Sequence, residues 1–230
     1  MSRRPNFIFI IADDHRFESI GINCPEVQSP NLDRLAKSGA VFDNAHCQGS
    51  LHPAVCVPSR ASLMSGRNIF ALGGGSADEP AIGIPETFDT FPQRLRETGY
   101  RTHAIGKWHN DFGAFERSFS SGERLFFGGM SDHDKVPLHD FDPDGAYATT
   151  KPRLETGLST DLFEQSAKTF LESVGSEEPF CLYVAFTAPH DPRTPPDRFK
   201  VDPAIVSLPD NFLPIHPFDN GESVVRDEPA

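Results

Sequence analysis

Phe7-Ile8-Phe9-Ile10-Ile11-Ala12, followed at once by Asp13-Asp14, is the stretch on which the architecture turns. Its apolar residues follow one another without the alternation of a half-exposed strand. A run of that kind suits a central strand covered on both faces of a largely parallel sheet. Two further runs read the same way, Tyr100 to Ile105 before Gly106, and Phe180 to Phe186 before Thr187-Ala188-Pro189-His190. Helical signals lie between them. Ser29 is placed to cap a helix with Pro30 in its first turn and Gly39 as a left-handed stop. A second helix is expected from Pro58 and a third from Phe91 to Thr98, closed by Gly99. Leu158, Leu162, Phe163, Ala167, Phe170, Leu171 and Val174 recur at helical spacing, with Ser159 or Thr160 as cap. Strands alternating with helices predict an α/β fold, a mostly parallel central sheet flanked by helices. Val41-Phe42 is expected to add a short strand. Asn110 to Pro152, which has no strong period, and the Pro-rich chain after Asp191 are expected to be mostly loop.

Composition sets the outer limits. The 230 residues make one large domain or one and a fraction. With 37% apolar residues and 18 Gly the chain is globular, and its 21 Pro imply long, kinked loops. Twenty Phe against three Tyr and one Trp indicate apolar filling. The net charge of −12 argues against a general nucleic-acid partner but leaves room for a small basic pocket. Cys24, Cys47, Cys56 and Cys181 are too sparse for a disulfide scaffold. No apolar run approaches the roughly 18 residues that span a bilayer, so no membrane partner is expected. Ser2-Arg3-Arg4 superficially resembles a twin-arginine signal, but the apolar run behind it is short and ends in Asp13-Asp14. A cytoplasmic location is expected, or a periplasmic or secreted one if a leader has been removed.

The chemistry-bearing residues sit at the ends of these elements. Ligands of open α/β sheets gather at the carboxyl ends of strands, where Asp13 and Asp14 fall. Adjacent carboxylates there suit a hard cation, Ca²⁺ or Mg²⁺, or else form a solvated turn. In Val55-Cys56-Val57-Pro58-Ser59-Arg60-Ala61-Ser62-Leu63-Met64-Ser65-Gly66-Arg67, the proline puts Cys56 at a helix N-terminus. The helix dipole and Arg60 would depress its pKa and make it reactive; a buried structural cysteine is the plainer alternative. A zinc site from Cys47, His52 and Cys56 lacks a second ligand pair. Lys107, His109 and His190 each follow a strand. His15, His46, His52 and His103 receive no role.

The segment Cys56-Val57-Pro58-Ser59-Arg60, continuing to Ser65-Gly66-Arg67, resembles the C-x-P-S-R…TGR signature of the type I sulfatases, of the alkaline-phosphatase-like superfamily. Other segments resemble the same family in order: Pro5 to Asp14, Ser29 to Ala36, Gly99 to His109, and Ala188-Pro189-His190-Asp191-Pro192. The resemblance implies oxidation of Cys56 to formylglycine by a generating or maturase enzyme. It implies Asp13, Asp14 and residue 56 on a divalent ion, Ca²⁺ rather than Mg²⁺. Arg60 and Lys107 would hold the sulfate. His109 would act as base beside the formylglycine hydroxyl, and His190 would touch a sulfate oxygen or help protonate the leaving alcohol. The implied activity is hydrolysis of a sulfate ester. The segment Pro217 to Glu228 is similar to that of sulfatases acting on sulfated sugars, which favours a glycan fragment as substrate. Full-length relatives add a later Asp-Asn or Asp-His pair and a further lysine. Residues 1–230 therefore read as the N-terminal portion of a catalytic domain, with Asp219-Asn220-Gly221 a turn rather than the missing pair. On that reading the chain alone is expected to bind metal weakly and to be nearly inactive. An inactive remnant, and a phosphonate or phosphate monoester hydrolase of the same superfamily, stay open as alternatives.

Overall fold

The computed structural model describes residues 4–50, 55–72 and 83–207. The chain divides into two compact units, Met1–Phe17 with Val41–Thr194, and Glu18–Ala40 with Pro195–Ala230. In chain order the first elements are β1 (Phe7–Ile11), α1 (Pro30–Ser38), α2 (Cys56–Ser65) and α3 (Phe91–Glu97). Then come β2 (Arg101–Lys107), α4 (Phe112–Ser118), β3 (Ser121–Phe126), β4 (Pro137–Leu138) and β5 (Arg153–Leu154). Helix α5 (Ser159–Ser173) and strand β6 (Phe180–Ala185) complete the set, with short 3₁₀ turns elsewhere. No helix among the described residues is long and apolar enough to cross a membrane.

The larger unit is built on a four-stranded, all-parallel sheet in the order β1-β6-β2-β3. Strand β6 is buried along its whole length, and its side chains alternate between two cores. Tyr183 and Ala185 join Ala104, Trp108, Phe115 and Phe119 on one face, with Ala61 and Met64 of α2. Leu182 and Val184 join Ile105 on the other, under Phe163 and Phe170 of α5. Each of those two phenylalanines contributes about 2 kcal/mol by leaving water. The layered α/β arrangement agrees with the reading of the sequence.

Four local expectations are corrected. Strand β1 is an edge strand among the described residues, pairing with β6 alone. Phe9 and Ile11 pack on the first core, but Ile8 and Ile10 are 50% and 65% exposed. The cause is that α5 packs over β2, β3 and β6, so the second face of β1 lies beyond its cover. Residues 110–152 are loop over more than half their length, as expected, but they are not confined to the surface. They form α4, β3 and β4 and bury Phe115, Phe119, Leu125, Val136, Leu138 and Tyr147, because their aromatic rings pack on one another and on Trp108. Val41 and Phe42 form no strand and lie exposed. Strand β2 also runs past Ile105 to Lys107. A bulge between Ile105 and Gly106 permits this, with Gly106 at φ 82°. A side chain there would overlap the Ala185 carbonyl, so glycine is required.

In the smaller unit, α1 has Pro30 in its first turn, as expected, but its ends differ. The Ser29 hydroxyl accepts from Gly21 N (2.8 Å) and donates to Asp33 (2.8 Å) instead of capping its own helix. Gly39 is extended, φ −126°, and so is not a left-handed stop.

Candidate active site

Strands β1 and β6 end side by side. Phe186 N donates to Ile11 O (2.8 Å), and Asp13 N donates to Ala188 O (3.1 Å). That pairing carries Asp13 and the His190 loop to the same end of the sheet. The bulge in β2 delivers Lys107 there as well, and α2 presents Cys56 and Arg60 from the adjoining layer. The carboxyl ends of parallel strands thus converge on one place.

Asp13 is the hub. It is 5% exposed; its Oδ1 accepts from Arg60 Nη2 (3.2 Å) and its Oδ2 accepts from the Lys107 ammonium. Lys107, fully buried, also donates to the Gly129 carbonyl. Arg60 Nη1 donates to Lys107 O (2.7 Å) and to the Tyr183 hydroxyl (2.9 Å), which itself donates to Lys107 O (3.2 Å). Burial alone would raise the pKa of Asp13, but the Arg60 and Lys107 charges outweigh it and hold the carboxyl below its ordinary value. The three deeply buried ions therefore sum to one excess positive charge, in low-dielectric surroundings that magnify it.

Cys56 corrects an expectation. Burial pushes its thiol up, and the Asp13 charge adds to that, against opposing pulls from Lys107 and Arg60. The helix N-terminus does not make it a thiolate. His109 is driven the other way, down to about 4, by burial and then by Lys107 and Arg60. Its backbone is left-handed (φ 52°) and its Nδ1 is buried without a partner. Its ring lies against Gly129: a Cβ on that glycine would sit 2.7 Å from His109 Cε1. The His190 Nδ1 donates to Asp191 O (3.1 Å), which leaves Nε2 for other company. Asp13, Cys56 and His190 each offer one ligand atom, all within 4.8 Å of one another.

Of the residues singled out from sequence, Asp13, Cys56, Arg60, Lys107, His109 and His190 come together. Asp14 does not join that three-atom group. It is exposed, left-handed at φ 58°, and its carboxylate pairs with Arg193 (3.5 Å). His52, Asp219, Asn220 and the segment from Pro217 to Glu228 lie outside the described residues. Tyr183, Gly129 and His133 belong to the surroundings of the site and were not anticipated. Tyr183 carried a signal, since a tyrosine in the middle of a buried apolar strand needs a partner for its hydroxyl.

The parallel α/β sheet thus gathers two buried cations, a carboxylate, two imidazoles and a helix-borne cysteine at its strand ends. The sulfatase family model matches residues 5–209, and the chain belongs to that family. It is 33% identical over 203 residues to N-acetylglucosamine-6-O-sulfatase of Bacteroides thetaiotaomicron, covering 86% of this chain and 33% of that protein. It is 30% identical over 211 residues to mouse arylsulfatase J, covering 85% and 34%. Among solved structures, Ps i-CgsB in complex with a neocarrahexaose matches with a TM-score of 0.68 at 29% identity, covering 85% of this chain and 48% of that one. The phosphonate monoester hydrolase of Agrobacterium radiobacter shares the fold at a TM-score of 0.55 and 18% identity, covering 84% and 43%. The architecture is thus that of the alkaline-phosphatase-like superfamily. The chain spans about a third of the length of the curated relatives it matches.

Membership of the family implies a formylglycine and a divalent metal ion. The described residues fit that ion from one side. Asp13 offers a hard carboxylate, His190 a ring nitrogen, and residue 56 an oxygen once its sulfur has been replaced.

Proposed function

We propose that this chain carries the sulfate-binding and nucleophile-bearing portion of a sulfuric-ester hydrolase whose substrate is a sulfated carbohydrate, Cys56 being converted to formylglycine by a maturation enzyme. The observation that carries the reading is the buried charge count: Lys107 and Arg60 against the single carboxylate of Asp13, beside Cys56. Burying an uncompensated cation is costly unless something anionic completes it. An ester sulfate beside this group would supply that charge, and Asp13, Lys107 O and Tyr183 already hold the Arg60 guanidinium in place as negative charge builds in the transition state.

The residues divide the work. Arg60 is pinned by Asp13, Lys107 O and Tyr183, which fixes its guanidinium and, through it, the end of β2. Lys107 places an ammonium where sulfate oxygens would lie. His109, whose pKa is held near 4, is a free base at neutral pH and can take up a proton at its ring. His190 keeps Nε2 available, to accept from a hydroxyl or, when doubly protonated, to donate to the leaving alcohol. The formylglycine would supply the attacking oxygen, and Ca²⁺, held by Asp13 and residue 56, would draw charge from the sulfate oxygens. Asp14 would contribute to that ion only by releasing Arg193.

The sugar substrate is supported by relatives named N-acetylglucosamine-6-O-sulfatase and N-acetylgalactosamine-6-sulfatase, and by a similar structure in complex with D-glucosamine-2-N,6-O-disulfate. The domain reading, an N-terminal portion of a catalytic domain, is part of the same proposal. The test is to produce the protein together with a formylglycine-generating enzyme, follow Cys56 by mass spectrometry, and assay 6-sulfated hexosamines against aryl sulfates. Turnover with an unmodified thiol would overturn the chemistry. Turnover of aryl sulfates equal to that of every sulfated sugar would overturn the substrate.

A further inference from the structure

We propose that His133 is a positioning residue that sets the place of His190. His133 is buried (7% exposed) and sits far from the site in sequence. Its Nε2 lies 2.9 Å from the backbone oxygen of His190, and its Nδ1 lies 3.0 Å from Thr187 Oγ1. Thr187 Oγ1 in turn lies 2.9 Å from Ser159 Oγ at the start of α5, and Ser159 N donates to His133 O (2.7 Å). Thr187 and Ser159 are 4% and 1% exposed, so water does not compete for these bonds.

The direction of every proton follows. A peptide carbonyl only accepts, so His133 Nε2 carries the hydrogen that goes to His190 O. In the neutral ring Nδ1 is then an acceptor and takes the Thr187 hydroxyl proton. With that proton committed, Thr187 Oγ1 can only accept from Ser159. The chain of bonds runs Ser159 to Thr187 to His133 to His190, from the rigid N-terminal turn of α5 to the loop after β6. The same loop is closed from inside, since His190 N donates to Thr187 O (3.2 Å). His190 is thereby held at both its N–H and its C=O while its ring stays in the group with Asp13 and Cys56. The catalytic meaning of this rests on the sulfate-ester reading; the positioning itself does not.

Nitrogen-15 spectroscopy of the histidine rings in the full chain tests the proton order directly. The expected signature is a slowly exchanging Nε2–H and an unprotonated Nδ1 on His133. The opposite tautomer would overturn the proposal. Two near-isosteres then separate the two ends of the ring, because Gln reaches the Nε2 position and Asn the Nδ1 position. His133→Gln keeps the donor to His190 and should leave exchange of the His190 amide close to wild type. It should also keep the nuclear Overhauser contact between the His190 ring and Cys56. His133→Asn loses that donor, and exchange should rise about tenfold, the loss of one hydrogen bond, with the contact weakened. Equal behaviour of the two variants would overturn the proposal. Should His133→Asn fail to fold, Thr187→Val removes the donor to Nδ1: the Nε2–H tautomer, which the His190 carbonyl sets, should persist while the Nδ1 resonance shifts with the loss of its hydrogen bond, and an unshifted Nδ1 would refute the relay of bonds. If the protein turns over sulfate esters, His133→Asn should lower kcat with little change in KM, and His133→Gln should restore it. Turnover that responds to neither variant would count against the role of His190 in the sulfate-ester reading, while the spectra would still decide whether His133 positions His190.

Discussion

The charge imbalance around Asp13 makes an asymmetric prediction about stability. Asp13→Asn removes the only deeply buried anion among the described residues of the site and leaves Lys107 and Arg60 facing one another in the core. Breaking a buried pair in this way costs about 3–5 kcal/mol, because the remaining charge stays desolvated. Lys107→Met does the reverse. It keeps the Asp13–Arg60 pair (3.2 Å), removes the excess charge, and fills the same volume with an unbranched apolar chain. The losses on that side are the donors to the Gly129 carbonyl and to Asp13 Oδ2, together about 2–4 kcal/mol, and against them stands the relief of removing a desolvated excess cation, of similar size. The net change for Lys107→Met should therefore be within about 1.5 kcal/mol of zero, although a fully buried lysine has been deleted. Urea unfolding at pH 7 measures both variants. Sodium sulfate gives the second reading at constant ionic strength. An anion that binds only the folded form raises stability with its concentration, by about 2.7 kcal/mol at a hundredfold over Kd. Wild type should gain in this way, and Lys107→Met should lose most of the gain. If Lys107→Met destabilises as much as Asp13→Asn, or if both respond to sulfate like wild type, the excess charge is not what organises the site.

Three further outcomes follow from the same structure. His103 is held down to about 4 by burial and by Arg101, stacked on Phe170 at 4.3 Å. The unfolded chain therefore takes up more protons than the folded one between pH 6.5 and 4, and stability falls as pH falls through that window. At pH 5 this residue should account for about 2 kcal/mol of the loss, and His103→Phe should show a correspondingly shallower fall in urea midpoints; an unchanged slope counts against the assignment. Gly129→Ala brings a Cβ to 2.7 Å from His109 Cε1, so turnover should drop at least about tenfold, more than the loss in stability explains, while a variant of wild-type activity would clear Gly129 of any part in placing His109. Exposed Cys47 should be alkylated by iodoacetamide at pH 8 well before Cys56, whose thiol is raised by burial. Faster loss of Cys56, followed by peptide mapping, would restore the reactive thiolate expected from sequence.

Periodicity found what local residues determine and missed what neighbours determine. The α5 stripe and the runs of β2 and β6 are written in side chains that their own elements bury. Strand β1 is equally apolar in sequence, but whether Ile8 and Ile10 are covered depends on the reach of α5, which no local pattern encodes. Residues 110–152 were unreadable for the opposite reason. Their phenylalanines have no helical or strand period, and they become core by packing ring against ring around Trp108. The site residues were legible because they sit in short, specific segments that resemble a family. Their surroundings were not. His133 meets Thr187 across 54 positions, and Arg60 meets Tyr183 across 123, contacts that exist only after the sheet has assembled.

The helix argument for Cys56 failed in an instructive way, because it counted the dipole and omitted desolvation. Burial is the largest influence on the thiol and, with the Asp13 charge, outweighs the pull of Lys107 and Arg60. The same burial has the opposite chemical effect on His109, since for a histidine the disfavoured form is the protonated one. One dry, positively charged environment therefore keeps the cysteine protonated and the histidine unprotonated. A protonated thiol is a poor nucleophile, and a free imidazole is a competent base. On the proposed chemistry, such a site would have its base ready and its nucleophile unready. Replacing the sulfur at residue 56 by oxygen chemistry removes the difficulty without disturbing Asp13, Arg60 or Lys107, which hold one another independently of the thiol. On the proposed formylglycine chemistry, that independence would let the unmodified chain build the pocket before residue 56 is converted.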